Sequence, residues 1–190
     1  MTATTLDPNT ALIIVDLQNS VVGMAAAMAH SVDDVVTRAA ALADAFRRHH
    51  LPVVLVNVVG APPGRTDAGR RALSEQPDDW ADLVPALNRQ PDDILITKRA
   101  KGAFSKTGLA ETLAELGVTQ VVVCGIATSV GVESTARAAH ELGFNVTVAI
   151  DAMTDRSDDA HRHSIEQVFP RVAEAGTTAE ILELLDRTRS

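Results

Sequence analysis

The sequence has few sulfur and aromatic residues and no basic excess. Its 190 residues include one cysteine and no tyrosine, and only 3% of them are aromatic. One cysteine cannot form an internal disulfide, and no Cys/His cluster has zinc-ligand spacing, so we expect a reduced, cytoplasmic setting. The net charge of -8 disfavours nucleic acid as a partner, because binding to polyphosphate depends on Lys and Arg.

Several kinds of segment are also absent. No run approaches the ~18 consecutive apolar residues of a membrane span. Residues 1–10 have no basic region followed by an apolar one, as a secretory signal would. The turn GIATSVG (125–131) is not G-x-G-x-x-G, and the phosphate-binding pattern G-x-x-x-x-G-K-[ST] does not occur. We therefore expect a soluble protein with no membrane partner, and nucleotide binding has little support.

The residues that are present predict one α/β domain, residues 1–190. A hydrophobic content of 46% and a charged content of 22% are typical of a globular protein, and the length fits one domain. Short β-branched apolar runs alternate with helical patterns, which predicts right-handed crossovers and a mainly parallel sheet between helical layers. The predicted strands are 11–17, 52–59, 93–97, 120–126 and 145–150, and the predicted helices are 33–50, 107–116, 132–142, 159–169 and 178–187.

Candidate functional residues lie at the carboxyl ends of three of these strands. Ligands of parallel α/β sheets bind beyond the carboxyl ends of the strands, where the sequence has Asp16, Lys98 and the turn 125–131. Neighbouring parallel strands lie about 4.8 Å apart, so we predict that the acid and the lysine meet. The alternatives are a turn-forming or capping role for Asp16 and a solvated Lys98. Gln18 either faces the same site or opens the following turn.

A glycine, Gly131, stands where the helix after this turn is predicted to begin. Glycine in a helix interior costs about 1 kcal/mol relative to alanine, so something must come close to the backbone, either a ligand or a neighbouring strand. Arg65 lies in a loop, 60–71, that is long enough to be functional, and it either binds a substrate carboxylate or is solvated. We interpret the six histidines as mostly solvated, and we expect none near the turn 125–131.

Three segments together carry a resemblance to a known family: ALIIVDLQN (11–19), ITKRAKGAFSKTGL (96–109) and VVVCGIATSVGVESTARAAHELGFNVTVAIDAMTD (121–155). In this order they resemble the isochorismatase-like superfamily of hydrolases. The resemblance implies a three-layer α/β/α sandwich with a six-stranded, mainly parallel, Rossmann-like sheet. It also implies catalytic roles for Asp16 and Lys98, and a cis peptide between Ile126 and Ala127 that turns backbone N–H groups towards the substrate.

The chain departs from the family's pattern at the position of the nucleophile. Most members, including nicotinamidases and carbamoyl amidases, are expected to carry a catalytic cysteine where this chain has Gly131. Cys124 lies inside a predicted strand and cannot readily replace it. Isochorismatases lack the cysteine and hydrolyse a vinyl ether, with the aspartate as general acid and water adding to the resulting cation. The resemblance thus implies a cysteine-independent hydrolase of a small metabolite, with Asp16 as the acid acting on a vinyl ether or a related C–O or C–N bond.

The resemblance also bears on binding. No metal or cofactor is expected, because segment 56–67 lacks the histidine of the nicotinamidase Asp-x-His site. Isochorismate itself is disfavoured, because the turn has Ala127, Thr128 and Ser129 where isochorismatases tend to have an aromatic residue and a histidine. Relatives are usually oligomers, so we expect a homo-oligomer. The substrate-binding candidates are Gln18, Arg65, Phe104, Ile126, Ala127 and Thr128.

Two rival interpretations remain. One is a catalytically silent homologue that binds a small molecule or acts as a structural protein. Retention of Asp16 and Lys98 argues against it, since such a protein has no chemical use for either. The other is an amidase with Ser129 as nucleophile, which would need a histidine near the turn to activate the hydroxyl.

Overall fold

The computed structural model describes residues 3–67 and 76–188. Its six strands are β1 (Thr10–Val15), β2 (Val53–Val58), β3 (Ile94–Lys98), β4 (Gln120–Ile126), β5 (Asn145–Thr154) and β6 (Glu174–Gly176). Its α-helices are α1 (Asn19–Val22), α2 (Val32–Arg48), α3 (Leu109–Glu115), α4 (Glu133–Glu141), α5 (Asp158–His163) and α6 (Thr178–Thr188). The strands form one sheet in the order β3-β2-β1-β4-β5-β6, and every pairing in it is parallel.

Each face of the sheet carries its own apolar core. Alternate side chains of a strand point to opposite faces, so Ile14 of β1 packs on the side of α2 and α6, and Ile13 packs on the side of α3 and α4. Phe46 anchors the first core and Leu113 the second, and both are fully buried. The predicted three-layer α/β/α sandwich with a six-stranded parallel sheet is confirmed.

Some element boundaries differ from the predicted ones. Strand β4 has the predicted bounds, but β5 runs four residues beyond position 150, and β6 was not among the strands predicted from the apolar pattern. The predicted helix 159–169 is interrupted, because α5 is followed by a π-helical turn at Ser164–Val168 and a 3-10 turn at Phe169–Arg171. The last turn contains Pro170, which lacks the backbone N–H that continues an α-helix.

The strand order reverses between β1 and β4, and this places the site. After β1 the chain builds β2 and β3 on one side, and it then crosses to β4 on the other. Such a reversal opens a crevice at the carboxyl ends of the two central strands. Gly125 lets these strands approach closely, because it has a φ of 117° and a Cβ built there would lie 2.1 Å from the carbonyl oxygen of Val15. A side chain would not fit at this position.

Candidate active site

Asp16 and Lys98 meet in this crevice, as predicted. Asp16 directly follows β1 in a left-handed conformation (φ 55°), and its backbone N–H donates to Val56 O at 2.9 Å. Lys98 is the last residue of β3, and its Nζ donates to Asp16 Oδ2 at 2.7 Å and to Ala100 O at 3.2 Å. The assumption of neighbouring strands was wrong, because β2 lies between β1 and β3. The long lysine side chain spans the end of β2 to reach the carboxylate.

The protein environment of Asp16 favours the protonated form of its carboxyl group more than water does. Its side chain is 9% exposed, and that of Lys98 is 2% exposed. Burial raises the pKa of Asp16 and outweighs the opposing charge and hydrogen bond of Lys98, which gives a pKa of about 6. Within the described residues, the buried Oδ1 has no hydrogen-bond partner. This carboxyl is therefore able to hold a proton near neutral pH, with Oδ1 as the oxygen not engaged by Lys98.

A pocket of about 350 Å³ opens beside this pair. Val21, Met24 and Met28, from α1 and the segment after it, form part of an apolar wall. Two further cations, Lys101 and Arg156, also line the pocket, and both are exposed. In the part of the chain that the structure describes, the cavity thus combines one acid with three basic residues and an apolar surface.

The turn after β4 forms another wall, and it carries the glycine noted in the sequence. The peptide bond between Ile126 and Ala127 is cis, and the helical turn begins at Thr128, three residues before Gly131. The predicted helix start at Gly131 was therefore wrong, because a π-helical turn, Thr128–Val132, precedes α4. A Cβ built on Gly131 would lie 3.3 Å from Asp16 Oδ2. Gly131 thus borders the acid directly and lines the pocket beside it.

Two groups behind this turn hold it in place, and both were missed in the sequence. Asp155 Oδ2 accepts hydrogen bonds from the backbone N–H and the hydroxyl of Ser129, at 2.7 and 2.8 Å. His161 Nδ1 lies 2.8 Å from Thr128 Oγ1. The expectation that no histidine lies near this turn was wrong, and His161 is buried rather than solvated.

Electrostatics and ring contacts further define the environment of His161. Burial is the main cause that lowers the pKa of His161, and His30 adds to this effect, against the opposing charges of Asp155 and Asp158. The His30 and His161 rings meet edge to face, with centroids 4.7 Å apart. His161 is therefore packed as a support for the turn. Asp155 directly follows β5, just as Asp16 directly follows β1. Ligands bind beyond the carboxyl ends of such strands, so Asp155 would have been a candidate if β5 had been predicted at its full length.

The backbone N–H groups of the turn are largely used inside the protein. Ser129 N donates to Asp155, and Val130 N and Val132 N donate to Ala127 O at 3.1 and 3.2 Å. These three N–H groups donate within the protein and are therefore not available to a substrate.

Of the six substrate-binding candidates, Ile126 and Ala127 line the pocket and the other four do not. The buried Gln18 is held by the backbone of β2, since its Oε1 accepts from Val58 N at 2.7 Å and its Nε2 donates to Val58 O at 3.1 Å. The other three candidates lie elsewhere. The Phe104 ring stacks on the Phe144 ring, with centroids 5.9 Å apart. Thr128 is buried under the turn, and Arg65 is exposed on its loop.

Two kinds of feature are absent from residues 3–67 and 76–188. None of the helices there is both long and apolar enough to cross a membrane. No group of three or more His, Cys, Asp or Glu residues in the same ranges is arranged to hold a metal ion.

The fold and the site define an α/β protein with a buried acid–lysine pair at the switch point of a parallel sheet. The Isochorismatase domain model matches residues 10–180. The chain is 39% identical over 180 residues to the isochorismatase family protein YwoC of Bacillus subtilis (strain 168), covering 92% of this chain and 93% of that protein. The chain belongs to the isochorismatase family.

Solved structures and named relatives agree with this assignment. An isochorismatase family protein from Burkholderia thailandensis superposes with a TM-score of 0.89 at 39% identity, over 96% of this chain and 98% of that one. Nicotinamidase 3 of Arabidopsis thaliana is 29% identical over 171 residues, which are 84% of this chain and 81% of that protein. Relatives named as a nicotinamidase and as a probable isochorismatase are hydrolases, which supports hydrolysis in general.

Proposed function

We propose that this chain is a cysteine-independent hydrolase of a small metabolite, with Asp16 as its general acid. The observation that carries the proposal is the position of Gly131, where a Cβ would lie 3.3 Å from Asp16 Oδ2. The residue that faces the acid thus has no side chain to act as nucleophile. The chain's one cysteine, Cys124, is buried in β4, and burial raises its thiol pKa to about 12. A thiol requires its thiolate form to attack a substrate.

The reaction that fits this arrangement is acid-catalysed cleavage of a vinyl ether or a related C–O or C–N bond. The protonated Asp16 transfers its proton to the terminal carbon of the double bond, which leaves a cation stabilised by the ether oxygen. Water adds to the cationic carbon and gives its surplus proton back to Asp16. The hemiketal then releases the alcohol and becomes a carbonyl group. General acid catalysis of this kind contributes about 10²–10⁴-fold in rate.

Lys98 and Gly131 have supporting roles in this proposal. The hydrogen bond from Lys98 fixes Oδ2 and leaves Oδ1 without a hydrogen-bond partner among the described residues. The ammonium group also stabilises the carboxylate that remains after transfer. Gly131 lines the pocket next to the acid, and no side chain of this residue covers the carboxyl.

The two rival interpretations receive less support. A buried ion pair is a weak contributor to stability because of its desolvation cost, so a silent binding protein would gain little from keeping Asp16 and Lys98. The hydroxyl of Ser129 donates to Asp155, and His161 contacts Thr128 instead. Among the described residues, Ser129 therefore has no contact with the histidine that this interpretation requires.

A substrate panel with two variants tests the proposal. Purified protein is assayed on small vinyl ethers, amides and ureides, and Asp16→Asn and Cys124→Ala are then compared on whatever is hydrolysed. We expect vinyl ether turnover that falls about 100-fold or more in Asp16→Asn and changes less than about twofold in Cys124→Ala, which removes no proposed catalytic group. Unchanged turnover in Asp16→Asn would refute the role of the acid.

We further propose that the chain acts in the cytoplasm as a single domain and as a homo-oligomer, without metal or cofactor. The single cysteine supports a reducing compartment, and oligomerisation rests on the resemblance to the family. Sedimentation velocity that shows only a monomer at micromolar concentration would reject the oligomer.

A further inference from the structure

The candidate pocket is basic, although the protein as a whole is acidic. The chain has 17 basic and 25 acidic residues and a net charge of -8. Among the described residues, the pocket lining nevertheless has three cations, Lys98, Lys101 and Arg156, and one anion, Asp16. Because Lys98 pairs with Asp16 at 2.7 Å, the other two cations carry the excess positive charge.

Lys101 and Arg156 are not among the basic side chains that form ion pairs in the described part of the chain. Arg47, Arg137 and Arg162 each form an ion pair with a carboxylate. Within residues 3–67 and 76–188, neither Lys101 nor Arg156 forms such a pair. Their charges are therefore not neutralised by a described protein carboxylate.

The carboxylate beside Arg156 is already engaged by other groups. Asp155 Oδ1 accepts from the backbone N–H of Arg156 at 2.7 Å, and Oδ2 accepts twice from Ser129. These contacts fix the backbone of Arg156 next to the active-site turn and leave its guanidinium exposed at the pocket. A guanidinium in such a position presents several N–H donors to an incoming anion.

Part of the pocket wall suits an uncharged, apolar body. Val21, Met24 and Met28 line the pocket, and the two methionine side chains adapt readily to different ligand shapes. A ligand that satisfies both surfaces has an apolar part and an anionic group.

We propose that Lys101 and Arg156 are specificity-determining residues, which select substrates carrying a negatively charged group such as a carboxylate. This inference rests on the proposed function, because it assigns the substrate class of the same pocket. The anionic group lies at the two cations, the apolar body lies along Val21, Met24 and Met28, and the scissile bond lies at Asp16. Lys101 and Arg156 bind and orient the substrate, and neither takes part in proton transfer.

Direct binding of two probes of similar shape tests this inference. Benzoate carries a carboxylate, and acetophenone is its uncharged counterpart; neither contains a bond that this chemistry would hydrolyse. We expect isothermal titration calorimetry on the unmodified protein to show at least about tenfold tighter binding of benzoate, since hydrogen bonds to charged groups contribute about 1.5–3 kcal/mol.

Variants assign the effect to the two cations. Arg156→Gln and Lys101→Gln should each weaken benzoate binding about tenfold and leave acetophenone binding unchanged, while Arg156→Lys should retain part of it. The matched control is Arg99→Gln, which removes the same charge from an exposed residue that does not line the pocket, and it should have no effect on either probe.

Three results would overturn the inference. The first is that benzoate binds no tighter than acetophenone, which includes the case that neither probe binds. The second is that Arg156→Gln and Lys101→Gln do not weaken benzoate binding, and the third is that Arg99→Gln weakens it equally. Because the readout is equilibrium binding of unreactive probes, such a failure is separate from a failure of acid catalysis, which only the turnover assays report.

Discussion

At the residue scale, the ionisation of Asp16 links the stability of the fold to its chemistry. The pKa rises from its ordinary value of 3.8 to about 6, so between these pH values the folded protein binds more protons than the unfolded chain. The free energy of unfolding contributed by Asp16 therefore decreases as pH rises from about 4 to about 6, by roughly 3 kcal/mol, and is then constant.

Urea denaturation at several pH values, on the unmodified protein and on Asp16→Asn, measures this contribution. Other titrating groups largely cancel in the difference between the two proteins. We expect the stability of the unmodified protein relative to the variant to fall across this range. A difference for Asp16→Asn that does not depend on pH would contradict the raised pKa.

Gly131 should resist even the smallest side chain. A Cβ there would lie 2.9 Å from Val15 Cγ1, and Val15 is fully buried and has little room to move. We expect Gly131→Ala to lower the free energy of unfolding by about 1–3 kcal/mol, as overpacking does. In thermal or urea melts of the double variant with Val15→Ala, the combined loss should be smaller than the sum of the single losses by about 0.5 kcal/mol or more. Additive losses would show that the two positions do not collide.

Residues of the site differ in how far the sequence could predict them. Asp16 and Lys98 could be found because each lies at the end of a clear apolar strand. Lys101 and Arg156 could not, because they lie on irregular segments whose path decides whether a side chain reaches the pocket. The burial of His161 depends on a contact with Thr128, 33 residues away in sequence, and the local helical pattern contains no sign of that contact.

At the element scale, the close approach of β1 and β4 depends on Gly125. A side chain there meets the backbone of Val15 and requires a φ of 117°. We expect Gly125→Ala to cost about 3 kcal/mol or more, from backbone strain and overpacking together. Gly143 is the matched control, because it also has a positive φ (91°) but has open space around its Cβ position.

Urea midpoints of the two alanine variants separate packing from backbone strain. Gly143→Ala should lose only about 1–2 kcal/mol, whereas Gly125→Ala should lose clearly more or fail to fold. If Gly125→Ala were as stable as Gly143→Ala, the two central strands would not be in the contact described above.

Helices and strands could be predicted from the sequence where their own residues specify the secondary structure. The run at 120–126 is continuously apolar, and β4 has those bounds. Strand β6 is only three residues, Glu174–Gly176, and it forms by pairing with β5 rather than by its own pattern. The extension of β5 to Thr154 contains polar residues that obscure a strand pattern, and this is why Asp155 was missed.

At the scale of the whole molecule, the fold accounts for where the chemistry lies. Alternating strands and helices were enough to predict a parallel sheet between two helical layers, because crossovers of this kind have few stable arrangements. The strand order was not predictable from the same pattern, yet it sets the switch point between β1 and β4. The pair formed by Asp16 and Lys98 lies at that point, as do the turn with Gly131 and the basic side of the pocket.

The most direct test of the central claim is the pH dependence of kcat/KM on a vinyl ether that the protein hydrolyses. With Asp16 as the general acid, kcat/KM should be constant below about pH 6 and should fall about tenfold per pH unit above it. The same profile should hold in Cys124→Ala, and Asp16→Asn should lose the activity. A rate that instead increases with pH, or that persists in Asp16→Asn, would indicate a base or a nucleophile and contradict acid catalysis by Asp16.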